Sequence, residues 1–152
     1  MSSFTRTTHV SLFDRLCGPD SALPQARLSP GEGLRASLQR ELSKLLNSRS
    51  HLTRAQFMAS EASVLNYGLP DLVGLCTQSD TDLEQLAQIV GHGIHLFEPR
   101  LFDVRVQAQR DPTEPTRARL TVVASALEGR EVRRVDFAVV LDEAESLRAR
   151  EA

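Results

Sequence analysis

The chain has 152 residues, 41% hydrophobic and 25% charged, which suits a single soluble domain with its own core. A net charge of −2 excludes a broad electrostatic case for binding nucleic acid or an anionic membrane. Trp is absent and aromatics reach only 5%, so aliphatic side chains must fill the core. Of the 18 basic residues only Lys44 is lysine. Planar, multi-donor arginines suit interfaces, and codon usage is the blander account of the same bias. Cys17 and Cys76 make no CxxC motif and no disulfide framework, which points to a reducing compartment. The first ten residues, MSSFTRTTHV, lack the apolar stretch of a signal peptide, and no run approaches a membrane span.

Residues 1–28 read as an N-terminal arm with one short apolar patch, Leu12, Phe13 and Leu16, before Gly18, Pro19 and Pro24 break any helix. That patch can dock on its own domain or on a partner. A helix is predicted from Ser29-Pro30-Gly31-Glu32, where Ser29 caps, Pro30 suits the first turn and Glu32 completes a capping box. Leu34, Leu38, Leu42, Leu45 and Leu46 then form one apolar stripe, with Arg35, Gln39, Arg40 and Lys44 toward water, until Asn47-Ser48-Arg49-Ser50 ends the helix. Residues 51–79 read as irregular. Within them Leu65-Asn66-Tyr67-Gly68-Leu69-Pro70-Asp71 combines apolar content with Gly and Pro, so it is expected to be an ordered, buried loop in which Asn66 needs hydrogen-bond partners.

A second helix is predicted from Ser79 or Asp80, with Leu83, Leu86, Ala87, Val90, Ile94 and Phe97 at helical spacing and Pro99 as its stop. Strands follow. Phe102, Val104 and Val106 alternate with polar residues; Leu120, Val122, Ala124 and Ala126 do the same; so do Val135, Phe137, Val139 and Leu141. Arg110 to Pro115 reads as a turn and Glu128-Gly129 as a hairpin. The expected architecture is α+β: two main helices packed on a small antiparallel meander of three or four strands, over residues 29–142, with a charged C-terminal tail at 143–152.

The candidate chemistry centres on Glu98-Pro99-Arg100. A carboxylate at a helix C-terminus opposes the macrodipole and needs a compensating cation or donors. Three readings stay open: an internal ion pair, a rigid recognition corner for a partner protein, and a catalytic acid. The last requires a second carboxylate across a sugar-sized cleft; Asp71 and Asp103 are the available partners. His92 and His95 lie one turn apart, but no third metal ligand is evident nearby, so no metal and no cofactor are expected. No phosphate loop, dinucleotide fingerprint or Ser-His-Asp order appears.

Four segments together resemble one family. Ser63 to Leu72, which includes Asn66, Tyr67, Gly68, Pro70 and Asp71, looks like the signature loop of TssE proteins. Phe97-Glu98-Pro99-Arg100-Leu101 looks like their second hallmark, Leu45-Leu46-Asn47-Ser48-Arg49 resembles a third, and Leu12-Phe13-Asp14-Arg15-Leu16 resembles their N-terminal patch. The resemblance implies a baseplate wedge subunit of a bacterial type VI secretion system, similar to the small wedge protein of contractile-tail phages, and not an enzyme. It implies several copies in a six-fold assembly on the cytoplasmic side of the inner membrane. The implied partners are TssF, TssG and TssK in the wedge and TssB and TssC in the sheath. Glu98, Pro99 and Arg100 fall on the corner by which that family contacts the wedge core. The third strand, with Arg134 and Asp136 on its wetter face, or its neighbour, is the expected acceptor of sheath strands. The alternative function is a lysozyme-like peptidoglycan hydrolase with Glu98 as general acid.

Overall fold

A computed structural model describes residues 30–114, 117–128 and 131–142. The arm with Leu12, Phe13 and Leu16, together with Cys17, Ser29, Pro115, Gly129 and the tail, lies outside the described residues.

Helix α1 (Pro30–Asn47) buries Leu38, Leu42, Leu45 and Leu46, with Leu34 packed at the margin, so the apolar stripe is its inner face. Helix α3 (Asp80–Phe97) starts at Ser79, whose side chain accepts from the Asp82 backbone N–H. It buries Leu83, Leu86, Ile89, Val90 and Ile94. Between them the segment expected to be irregular contains a short helix α2 (Arg54–Met58). Thr53 and Gln56 close a reciprocal capping box at its start, a T-x-x-Q spacing readable in the sequence. A 3-10 turn follows at Val64–Asn66, capped by Ser63.

The sheet is a three-stranded antiparallel meander, β1 (Leu101–Arg110), β2 (Arg117–Glu128) and β3 (Glu131–Asp142), in the order β1-β2-β3. Leu120, Val122, Ala124, Ala126, Val135, Phe137 and Val139 are buried on its inner face under the helices. Helix α3 crosses β1 closely: a methyl added at Gly91 would meet Val106 at 3.5 Å. No helix among the described residues is long and apolar enough to cross a membrane.

One alternation fails. Phe102, Val104 and Val106 were expected on one face, but the β1–β2 register shifts between Phe102 and Arg105, and Asp103 sits at φ 52°. A residue in left-handed conformation at a bulge reverses the phase of the strand. Asp tolerates that conformation better than most side chains. Leu101 is therefore buried, while Phe102 turns to the outer face opposite Ser125. By contrast, β2 and β3 pair without interruption from Arg117↔Asp142 to Glu128↔Glu131. Hydrogen-bonded and non-hydrogen-bonded pairs alternate along an antiparallel ladder. With Glu128↔Glu131 closing the hairpin, the backbone groups of Val132, Arg134, Asp136 and Ala138 face away from β2.

The connection from β1 to β2 is organised by Asp111. Its Oδ1 accepts from the Thr113 backbone N–H at 2.8 Å, from the Thr113 hydroxyl and from the Glu114 N–H at 3.4 Å, and Arg119 donates to Oδ2 at 3.3 Å. These donors, the Thr113 hydroxyl first, hold the carboxyl at about 2 against an ordinary 3.8. A carboxyl depressed on folding contributes stability that is fully present above its unfolded value and fades as pH falls through its folded one. Asp111→Asn should therefore lower the unfolding midpoint above pH 4, with the gap to the parent closing toward pH 2. Urea unfolding across that range checks this; parallel curves would show that the carboxylate charge is not used.

Candidate functional site

The corner is made where α3 ends. Glu98 caps the helix, its N–H donating to the Ile94 carbonyl at 2.8 Å, and its own carbonyl accepts from Leu101 at 3.0 Å. That closes a tight turn with Pro99 in the position where a fixed φ is favoured. The chain so reversed places Arg100 over its neighbour. Nε donates to Oε1 of Glu98 at 2.6 Å and Nη2 to Oε2 at 2.7 Å, a two-pronged pairing. The third nitrogen, Nη1, donates to the hydroxyl of Ser37 at 3.1 Å, and Ser37 is buried on α1. One guanidinium thus ties the α3–β1 junction to the middle of α1.

Of the three readings of this corner, the geometry favours the internal pair first. The Glu98 side chain is only 7% exposed and both its oxygens are taken by Arg100; Arg100 is 30% exposed. Pro99 is exposed beside it. What the corner offers outward is therefore proline and the partly exposed side of Arg100, with the carboxylate turned in. A general acid with both oxygens engaged by one arginine and facing inward is poorly placed to protonate a sugar. Asp71, one of its two possible partners, is committed to its own turn, Oδ1 accepting from the Val73 N–H at 2.9 Å.

The signature loop comes to the same place. Tyr67 meets Phe97 edge-to-face at 5.2 Å, one residue before Glu98. Burial, then the charges of Glu41 and Glu98, push the Tyr67 hydroxyl above its ordinary range. Gly68 and Leu69 lie against the end of α1, where Leu69 N–H donates to the Ser48 carbonyl at 3.0 Å and Ser50 N–H to the Leu69 carbonyl at 2.8 Å. This is a parallel bridge between Arg49 and Leu69. Arg49 also caps its own helix, Nη1 donating to the Leu46 carbonyl at 2.9 Å. Partial burial lowers its pKa and Asp71 pulls it back. Three motifs separated in sequence are thus one piece of structure.

The loop is only partly the buried segment that was expected. Gly68, Leu69 and Pro70 are buried and Asn66 is half-buried, but Val64 is 92% exposed and Leu65 79%. A short polar-capped turn can hold two aliphatic side chains outward because its backbone groups are satisfied locally. Arg134 and Asp136 are exposed on β3, far along the chain from the corner. His92 has a structural contact: its Nε2 lies 3.1 Å from the Phe57 carbonyl and its ring packs edge-on to Phe57. Among the described residues no three His, Cys, Asp or Glu side chains are grouped to hold a metal. Ser37 and Tyr67 are the members of the site that motif reading could not attach to Glu98. Ser37 carries no local signal beyond its place on the helix's apolar side.

The frame is a braced two-layer α+β fold, its signature residues spent on holding α1, α3 and β1 together. The chain belongs to the family of baseplate wedge protein gp25, whose family model matches residues 32–128. Among solved structures, a chain of "The baseplate complex from the type VI secretion system" aligns with a TM-score of 0.52 at 19% identity, covering 73% of this chain and 96% of that one. A Geobacter sulfurreducens chain provisionally described as a tail lysozyme aligns with a TM-score of 0.41 at 14% identity, over 72% and 96%, too loosely to bear on function. No curated protein matches by sequence.

Two substitutions test the brace. Arg100→Ala leaves a buried carboxylate without its cation and should cost about 3 kcal/mol in urea unfolding, whereas Glu98→Gln, which keeps an acceptor for a partly exposed arginine, should cost about 1 kcal/mol. Equal small losses would mean that the pair is a surface contact. Gly68 stands at φ +108°, and a methyl there would lie 2.7 Å from the Ser48 carbonyl carbon. Gly68→Ala should therefore cost about 2 kcal/mol or more, against about 1 for Gly74→Ala, where φ is +89° and the nearest atom is a flexible arginine nitrogen at 3.8 Å.

Proposed function

We propose that this chain is the small wedge subunit of a type VI secretion baseplate, a part that is gripped by its neighbours and carries out no bond-making chemistry. The observation that carries the reading is the match to the gp25 family across both the signature loop and the Glu98-Pro99-Arg100 corner. The solved neighbour from a type VI secretion baseplate, similar in fold, supports the choice of machine.

In this reading TssF, TssG and TssK are engaged through the outward side of the corner, Pro99 and the exposed part of Arg100, with Leu12, Phe13 and Leu16 of the arm as a second contact. Glu98 serves by holding Arg100 in position. The sheath proteins TssB and TssC are engaged through the sheet. Two features favour β3 over β1 as the strand acceptor. Its ladder with β2 runs without a register shift, so its outer row of backbone groups is regular. The bulge at Asp103 breaks the corresponding row on β1, and bulges are a standard means of blunting an edge. The subunit occurs in several copies of a six-fold assembly at the cytoplasmic face of the inner membrane.

Affinity capture of the tagged chain from its native cell, with mass-spectrometric identification, should retrieve the wedge and sheath proteins. Pro99→Glu should cut recovery of TssF and TssG about fivefold or more, with circular dichroism confirming a folded chain, while loss of the proline's turn constraint lowers stability by only about 1 kcal/mol. Capture of neither wedge nor sheath proteins would end the reading. Cell-wall turnover by the clean protein, lost in Glu98→Gln, would replace it with the hydrolase.

A further inference from the structure

The regular edge of the sheet is not bare. From the second turn of α1, Arg35 reaches across to it. Its Nη2 donates to the backbone carbonyl of Asp136 at 3.1 Å and stands 3.8 Å from Oδ2 of the same residue. The guanidinium carbon lies 6.0 Å from the centroid of the Phe137 ring, within reach of a cation–π contact. The Asp136 carbonyl belongs to the row that faces away from β2. A strand pairing with β3 needs that acceptor. Its backbone must run about 4.8 Å from that of β3, through the space that the guanidinium fills.

We infer that Arg35 is a gate on the β3 edge, satisfying the Asp136 carbonyl while the chain is free and yielding it to an incoming strand. The inference rests on β3 being the strand acceptor. Elsewhere along this edge Val132, Arg134 and Ala138 are exposed, and among the described residues no strand lies beyond β3. The side chain of Arg35 is 55% exposed, so its release costs little. A guanidinium displaced from Asp136 favours an extended segment that carries an acidic side chain at that point. The gate also has a use in the free subunit. A charged side chain held over an open edge discourages pairing between copies of the chain.

The test is a titration of the labelled full chain with purified TssB–TssC heterodimer, comparing the parent with Arg35→Ala, Arg35→Lys and Arg134→Pro. Circular dichroism checks each fold. Arg134→Pro removes an outward N–H without touching the ladder to β2 and should abolish binding. Arg35→Ala should bind about two- to fivefold tighter, the worth of one exposed charged contact, with Arg35→Lys between it and the parent. Binding by Arg35→Ala alone also supports the gate, in its fully closed form. Parent binding that Arg35→Ala leaves unchanged or weakens overturns the gate and leaves β3 as acceptor. Absence of binding by parent and variants alike removes both.

Discussion

A carboxylate at the C-terminal end of a helix is disfavoured by the helix dipole, and one withdrawn from water is disfavoured again. Glu98 is both. The chain meets this with a cation two residues on, and the proline between them bends the backbone so that both prongs of the guanidinium reach the carboxylate. The same guanidinium goes on to Ser37, so that the position of α1 relative to the sheet depends on an interaction whose first purpose is local. Loosening Arg100 would release the helix and the strand start together.

Around that point the other motif segments are arranged as supports. The parallel bridge of Arg49 with Leu69 fixes the loop to the end of α1, and Tyr67 on Phe97 fixes it to the end of α3. Gly68 is required because the Ser48 carbonyl lies where any side chain would go. On α3, Gly93 admits Leu69 about as closely, at 2.8 Å from a would-be methyl, so the loop meets the end of α1 and the middle of α3 each through one missing side chain. The family's short motifs are in this respect one bracket.

The helices and strands were readable because their apolar residues keep a period of 3.6 or 2, and the stripe through Leu38, Leu42 and Leu45 or the alternation through Val135, Phe137 and Val139 survives packing unchanged. The bulge at Asp103 was not readable, since a non-glycine residue at positive φ leaves no mark in composition and reverses the phase it interrupts. Helix α2 had a signal, the Thr53–Gln56 box, outweighed by the Gly and Pro that follow. At the corner the sequence displayed the two charges and the proline but not the direction of the carboxylate, because that depends on Ser37, 63 residues earlier. The outward Leu65 ran against an expectation based on hydropathy alone, which says nothing of where a capped turn points its side chains.

The bulge in β1 gives the sheet a handed character. One margin is kinked where Asp103 leaves the pleat, and the other is straight over twelve residues. If a partner strand adds at the unshifted margin, as proposed, every copy set round a ring would offer that margin with the same handedness.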